Sequence, residues 1–374
     1  MHKLTIKGVL LVKSGRTRPD VLQAILTLIT ALVVMSSAWA ANPIKDAPVD
    51  EADRIEAEIV SGIKIMTSID DIIAIRDRIV RLQKFEQSYP PEQSWRCQMT
   101  IAIKQDIEKA VALDSEAKRL PLFDGLRSLS RSMERLRVSQ NADALKAVEG
   151  AQVDLAKVWG EDSFVCVMAL EARIDTLIRL GRIADAQTAI DQLTAVRARH
   201  YDPGHPVMAA CGDFAGRLAL EKKDWKQAEE RFSASLAMRS KSMGIGHPTT
   251  ITARLGLIRA TAGMDKFESA SKQLITFGDD WARLLDTSNE LRIDFFPVAI
   301  DVHRGAGRLA DAQGCQENLV AALMKKMPRG HPRLRQEVMS LRVMLVEQSK
   351  WDLVKQLDAF WQPATQPTAG QPGG

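Results

Sequence analysis

The chain has 374 residues, of which 45% are hydrophobic, 26% charged and only 5% aromatic. This is the balance of a folded soluble protein, and its abundant Ala, Leu, Ile, Arg and Gln favour helices over sheets. The formal charge of +4 arises at the N-terminus: residues 1–40 hold five bases and one acid, and the remainder carries 46 of each, which excludes the basic footprint of a nucleic-acid binder.

In chain order, the basic stretch Lys3 to Arg18 is followed by the apolar run VLQAILTLITALVVM at residues 21–35. Ala38-Trp39-Ala40 then supplies the small-x-small pattern of a cleavage site. Residues 1–40 are expected to be a signal peptide cut after Ala40, placing the protein in the periplasm or cell envelope. The alternative is an uncleaved anchor, because residues 21–41 are uncharged and just long enough to span a bilayer. If the signal is cleaved, no stable membrane span is expected. Residues 41–50 read as a Pro/Ala linker. Residues 51–120 read as an N-terminal helical region that caps a stack, or alternatively as a partner-binding hairpin. Within them Ile72, Ile75, Ile79 and Leu82 mark one helix face, Tyr89-Pro90-Pro91 breaks it, and helix resumes over 93–118.

Gly-His-Pro occurs at 204–206, 246–248 and 330–332, separated by 42 and then 84 residues. A period of this size marks a stacked-repeat protein. Stepping by 42 from GRIADA (181–186) gives KDWKQA, DKFESA, GRLADA and SKWDLV. The third position is large and apolar (Ile183, Trp225, Phe267, Leu309, Trp351), and the sixth is small (Ala186, Ala228, Ala270, Ala312, then Val354). The expected units are 121–162 (weak, with Asn141 at the apolar position), 163–204, 205–246, 247–288, 289–330 and 331–361. Residues 362–374, rich in Pro, Gly, Gln and Thr, are expected to be a disordered tail.

Each unit predicts two helices. Gly in the left-handed conformation would end one hairpin, and Pro in a first turn would start the next. Gly-His-Pro is therefore read as punctuation and not as a metal cluster, since equivalent residues of stacked repeats form a row and do not converge on one ion.

The helix pair, with its large apolar position and the small residue three later, resembles the tetratricopeptide repeat. The 42-residue period with Gly-His-Pro between units is similar to the longer variant in kinesin light chains and many bacterial repeat proteins. The resemblance implies an all-α, right-handed superhelical solenoid of antiparallel helix pairs whose concave groove binds a peptide or helix of a partner protein. Carried onto the first helices, the groove face comprises Glu171, Asp175, Asp213, Arg217, Arg259, Asp301 and Arg304. Asp213 and Arg217, four apart, are equally readable as a solvated ion pair. Arg217 and Arg259, 42 apart, are expected side by side. Departures from the pattern are Arg173 and Arg254 at often apolar positions, Gln316 in the column of Ile190, Phe232 and Leu274, and Pro297, which is expected to interrupt or kink a first helix.

No H-E-x-x-H, C-x-x-C, G-x-S-x-G or P-loop is present. GAGRLA (305–310) imitates a dinucleotide fingerprint but follows helical pattern and falls on the turn column. Cys97, Cys166, Cys211 and Cys315 lie far apart in helical, apolar contexts and read as buried free thiols, with disulfides open in an oxidising compartment. The reading is an exported non-catalytic interaction scaffold with a protein or peptide partner, no cofactor, no metal and no nucleic acid. The alternative is an enzyme or accessory subunit with an unrecognised site.

Overall fold

A computed structural model describes residues 76–77, 79–80, 94–137, 140–245, 248–277 and 289–361. The expected signal, linker and tail lie outside these residues, as does most of 51–93. The described residues are all-α, with thirteen α-helices. They are α1 (Ser94–Val111), α2 (Glu116–Arg137), α3 (Asn141–Trp159), α4 (Phe164–Arg179), α5 (Ile183–Ala198), α6 (Ala209–Glu221), α7 (Trp225–Ser242), α8 (Pro248–Gly263), α9 (Phe267–Thr276), α10 (Asn289–Gly305), α11 (Leu309–Met324), α12 (Pro332–Glu347) and α13 (Trp351–Trp361). The helical run expected over 93–118 breaks after Val111, and α2 runs through residues 120 and 121.

From α2 onward the helices pair as consecutive hairpins and stack. Each of α2, α4, α6 and α8 touches the first helix of the following hairpin. No hairpin buries its apolar face alone, so the core continues from unit to unit.

The hairpin turns are built alike. Gly181, Lys223, Asp265, Gly307 and Ser349 follow at steps of 42, and all are left-handed, with φ between 56° and 73°. In each, the next N–H reaches back to close the preceding helix: Arg182 to the Leu177 carbonyl, Asp224 to Ala219, Lys266 to Thr261, Arg308 to His303 and Lys350 to Leu345. This satisfies carbonyls that a helix end leaves open. Three of the five turns hold a non-glycine residue in this conformation. The small column (Ala186, Ala228, Ala270, Ala312, Val354) is buried throughout. Two of its large neighbours lock successive units: the Trp225 ring packs where a Cβ on Gly263 would stand, and the Phe267 ring does the same at Gly305, whereas Leu309 and Trp351 are exposed.

The departures from the repeat pattern are absorbed. Helix α10 runs unbroken from Asn289 to Gly305 with Pro297 inside it, which corrects the expected interruption. The proline removes one donor, while packing of Ile293, Phe296 and Ile300 holds the turn in place. Gln316 is buried, and its amide donates to the carbonyl and side chain of Glu337 at 2.9 Å each. Arg254 lies 4.0 Å over the Phe277 ring, and Arg173 reaches Glu149 at 3.8 Å.

Gly-His-Pro works differently from the expected glycine stop. Gly246 lies outside the described residues, and neither Gly204 nor Gly330 has positive φ. The histidine supplies the cap: Nδ1 of His205 accepts from the Val207 N–H, and Nδ1 of His331 from the Arg333 N–H, both at 3.2 Å. The proline follows at the first helical position, where its missing N–H costs nothing.

Candidate functional site: the concave cavity

The first helices of the units at 163–204 and 205–246 face a cavity of about 630 Å³. Helix α1 forms one wall with Gln98, Ile101, Gln105, Asp106 and Lys109. Phe164, Val167 and Met168 of α4 and Phe214 of α6 give it apolar sides, while Tyr201, Pro206 and Val207 close one edge. Thr249 and Thr252 of α8 and Met243 stand at the other.

Helix α1 is held to the α3–α4 junction by three polar links. The Trp159 indole donates to the Asp106 carbonyl at 2.7 Å, Lys109 donates to the Trp159 carbonyl at 3.2 Å, and the Val165 N–H donates to the Asp106 carboxylate at 3.2 Å. Asp106 thereby caps α4 from another helix, beside the natural cap Ser163, which accepts from the Cys166 N–H. Burial pushes the Asp106 carboxyl up to about 6 against the pull of the Val165 N–H and Lys109. His205 lies under the Tyr201 ring, centroids 4.5 Å apart, and burial lowers it to about 4.

The floor is ionic. Glu171 on α4 pairs with Arg197 from the end of α5 at 2.5 Å, and Asp213 on α6 pairs with Arg239 from α7. Arg197 also approaches the Cys211 sulfur at 3.7 Å, and Arg239 donates to the Thr249 carbonyl at 2.7 Å. Burial raises Asp213 despite Arg239. Next to the floor, Asp175 bridges Arg217 on α6 and Arg179, the latter at 2.7 Å. Burial works to raise Asp175, but the two guanidinium groups outweigh it and hold the carboxyl below its ordinary value.

Of the seven residues proposed for the groove, the cavity brings together Glu171, Asp213 and Arg217. Asp175 sits behind Arg217. Arg259 and Asp301 are exposed on α8 and α10, and Arg304 approaches Glu347 at 3.4 Å. These three lie outside the cavity lining. The local Asp213–Arg217 pair does not form, because each residue takes a partner on another helix. Of the two arginines expected side by side, Arg217 is engaged by Asp175, while Arg259 forms no ion pair among the described residues.

Sequence reasoning missed Arg197 and Arg239, although they stand 42 residues apart and could have been read as a column. It missed Asp106, whose role depends on where α1 docks, and the capping role of the histidines. Cys166 and Cys211 are buried free thiols, and Cys315 is half-buried and free. Burial pushes both Cys166 and Cys315 up to about 11, away from thiolate reactivity. Among the described residues no helix is long and apolar enough to cross a membrane.

No family model and no curated protein matches the chain. Among solved structures it is similar to a Rap protein complexed with competence and sporulation factor. The likeness spans 91% of this chain and 96% of that one at 11% identity, with a TM-score of 0.48.

Proposed function

We propose that this is an exported, non-catalytic interaction protein that seats a peptide segment of a partner protein in the concave cavity. The observation that carries the reading is the cavity itself. Its volume of about 630 Å³ falls in the range of ligand sites, roughly 300–1,000 Å³. Its apolar sides and polar floor suit side chains and main-chain amides together. The engaged Arg217 shifts the emphasis from a row of free arginines to this half-open cavity.

Random-peptide display on the full-length protein, counter-selected on Ala210→Trp, tests the reading. Ala210 lines the cavity, so the indole would fill it. Defined peptides retained by the parent and lost by the variant are expected. Peptides held equally well by both, or no enrichment at all, would reject the cavity as the binding site.

A further inference from the structure

The two ion pairs of the cavity floor are one arrangement occurring twice. Glu171 and Asp213 are 42 residues apart, as are Arg197 and Arg239. The same two columns in the preceding unit hold Leu129 and Leu155, both fully buried. Two units further on they hold Pro297 and Leu323. Between these, Leu255 occupies the first column, and Trp281 in the second lies outside the described residues. Among the described residues these places hold apolar side chains wherever they do not face the cavity, buried at Leu129, Leu155, Leu255 and Leu323, half-buried at Pro297 and exposed at Met339.

Charge here is costly. Desolvating an ion pair commonly makes it no more stabilising than well-packed apolar residues of similar volume. Satisfaction is also incomplete: Arg197 and Arg239 are more than nine-tenths buried, and Nε of each lacks a hydrogen-bond partner. Each arginine also reaches the next first helix, Arg197 at the Cys211 sulfur and Arg239 at the Thr249 carbonyl. Apolar residues make the equivalent packing elsewhere in the array, and what sets these two units apart is that the pairs line the cavity.

We propose that Glu171–Arg197 and Asp213–Arg239 are recognition elements that read the main-chain amides of a peptide in the cavity, and are not braces of the fold. The inference rests on the peptide-binding reading above. Each pair sets a donor beside an acceptor, the complement of an amide's C=O and N–H. Packed helices lie about 8–10 Å apart, and an extended chain rises about 3.3 Å per residue. The two pairs therefore meet the peptide backbone about every third residue, leaving Phe164, Met168 and Phe214 to receive its side chains.

The test transplants the chain's own apolar solution. Glu171→Leu with Arg197→Leu, and separately Asp213→Leu with Arg239→Leu, are assayed with a synthetic peptide from the display selection. Each variant is expected to melt no lower than the parent and to bind about ten-fold or more weakly, the loss of at least one hydrogen bond to a charged group. Folded variants with unchanged affinity would overturn the proposal, and so would variants that unfold, since the pairs would then be braces. A second measurement needs no variant: the guanidinium Nη resonances of Arg197 and Arg239 in the parent are expected to shift when the peptide is added. Resonances that stay fixed under a bound peptide would equally overturn it. Failure of the peptide-binding reading is distinguishable, because Ala210→Trp would then leave peptide affinity unchanged whatever the floor residues do.

Discussion

Asp175 and Arg217, one repeat apart, form an ion pair that ties α4 to α6, and the next residue of the same column, Arg259, forms none among the described residues. Arg217→Ala is expected to cost about 1 kcal/mol, the upper range for a part-exposed pair. Arg259→Ala is expected to stay within about 0.5 kcal/mol, since the Arg259 charge acts on Asp294 and Asp301 without forming a close pair. Urea unfolding with a double-mutant cycle on Asp175 and Arg217 measures both, and a coupling near zero would mean that the pair holds nothing.

The left-handed turns predict opposite effects of glycine at equivalent positions. Lys223→Gly, Asp265→Gly and Ser349→Gly relieve a conformation that costs a side chain roughly 1–2 kcal/mol, partly offset by the entropy of glycine. Each is expected to stabilise by about 0.5 kcal/mol. Gly181→Ala and Gly307→Ala, at φ of 68° and 73°, are expected to destabilise by about 1 kcal/mol. Shifts in urea midpoint read both signs.

Two buried groups give opposing pH dependences. Asp106 binds its proton more tightly in the fold, to about 6 from 3.8. Its stabilising contribution is therefore greatest at low pH and is lost as pH rises through about 4 to 6. His205 is lowered from 6.5 to about 4, so its contribution is complete above pH 6.5 and is lost as pH falls towards 4. Asp106→Asn is expected to raise the melting temperature at pH 7 and to leave the acid loss due to His205. His205→Asn, which can retain the cap, is expected to remove that acid loss. Melting curves from pH 4 to 8 separate them, and parallel profiles in all three proteins would contradict both assignments.

Export remains a proposal resting on residues 1–40. Intact-mass analysis of protein from a secreting host is expected to show an N-terminus at Ala41. Retention of the first forty residues would instead indicate an anchored protein.

The repeat was legible because its constraints are local. A left-handed turn, a buried small residue and a large apolar neighbour each leave a mark at a fixed spacing, as at Lys223, Ala228 and Trp225. Pro297 departs from the expectation because helix propensity is local, and the packing of Ile293, Phe296 and Ile300 in the fold overrides it. The site was only partly legible. Glu171, Asp213 and Arg217 follow from the face of the first helices. Their partners do not, because an arginine at the end of α5 or α7 can reach several acids and only the stacked geometry selects one. The docking of α1 through Asp106 has no repeat to betray it.

The column Ile190, Phe232, Leu274, Gln316, Asp358 changes character along the chain, from apolar to a bonded amide to a carboxylate that the Arg342 guanidinium holds at 2.8 Å. In a linear array each unit is held chiefly by its neighbours, so this change gives the molecule a weak end and a strong one. Opening is expected to begin at α13, whose one buried residue is Val354, and to advance inward until it meets Leu274 and Phe232. Amide protons there should be the slow exchangers, and a protease should trim the chain from its C-terminal side before it cuts the middle.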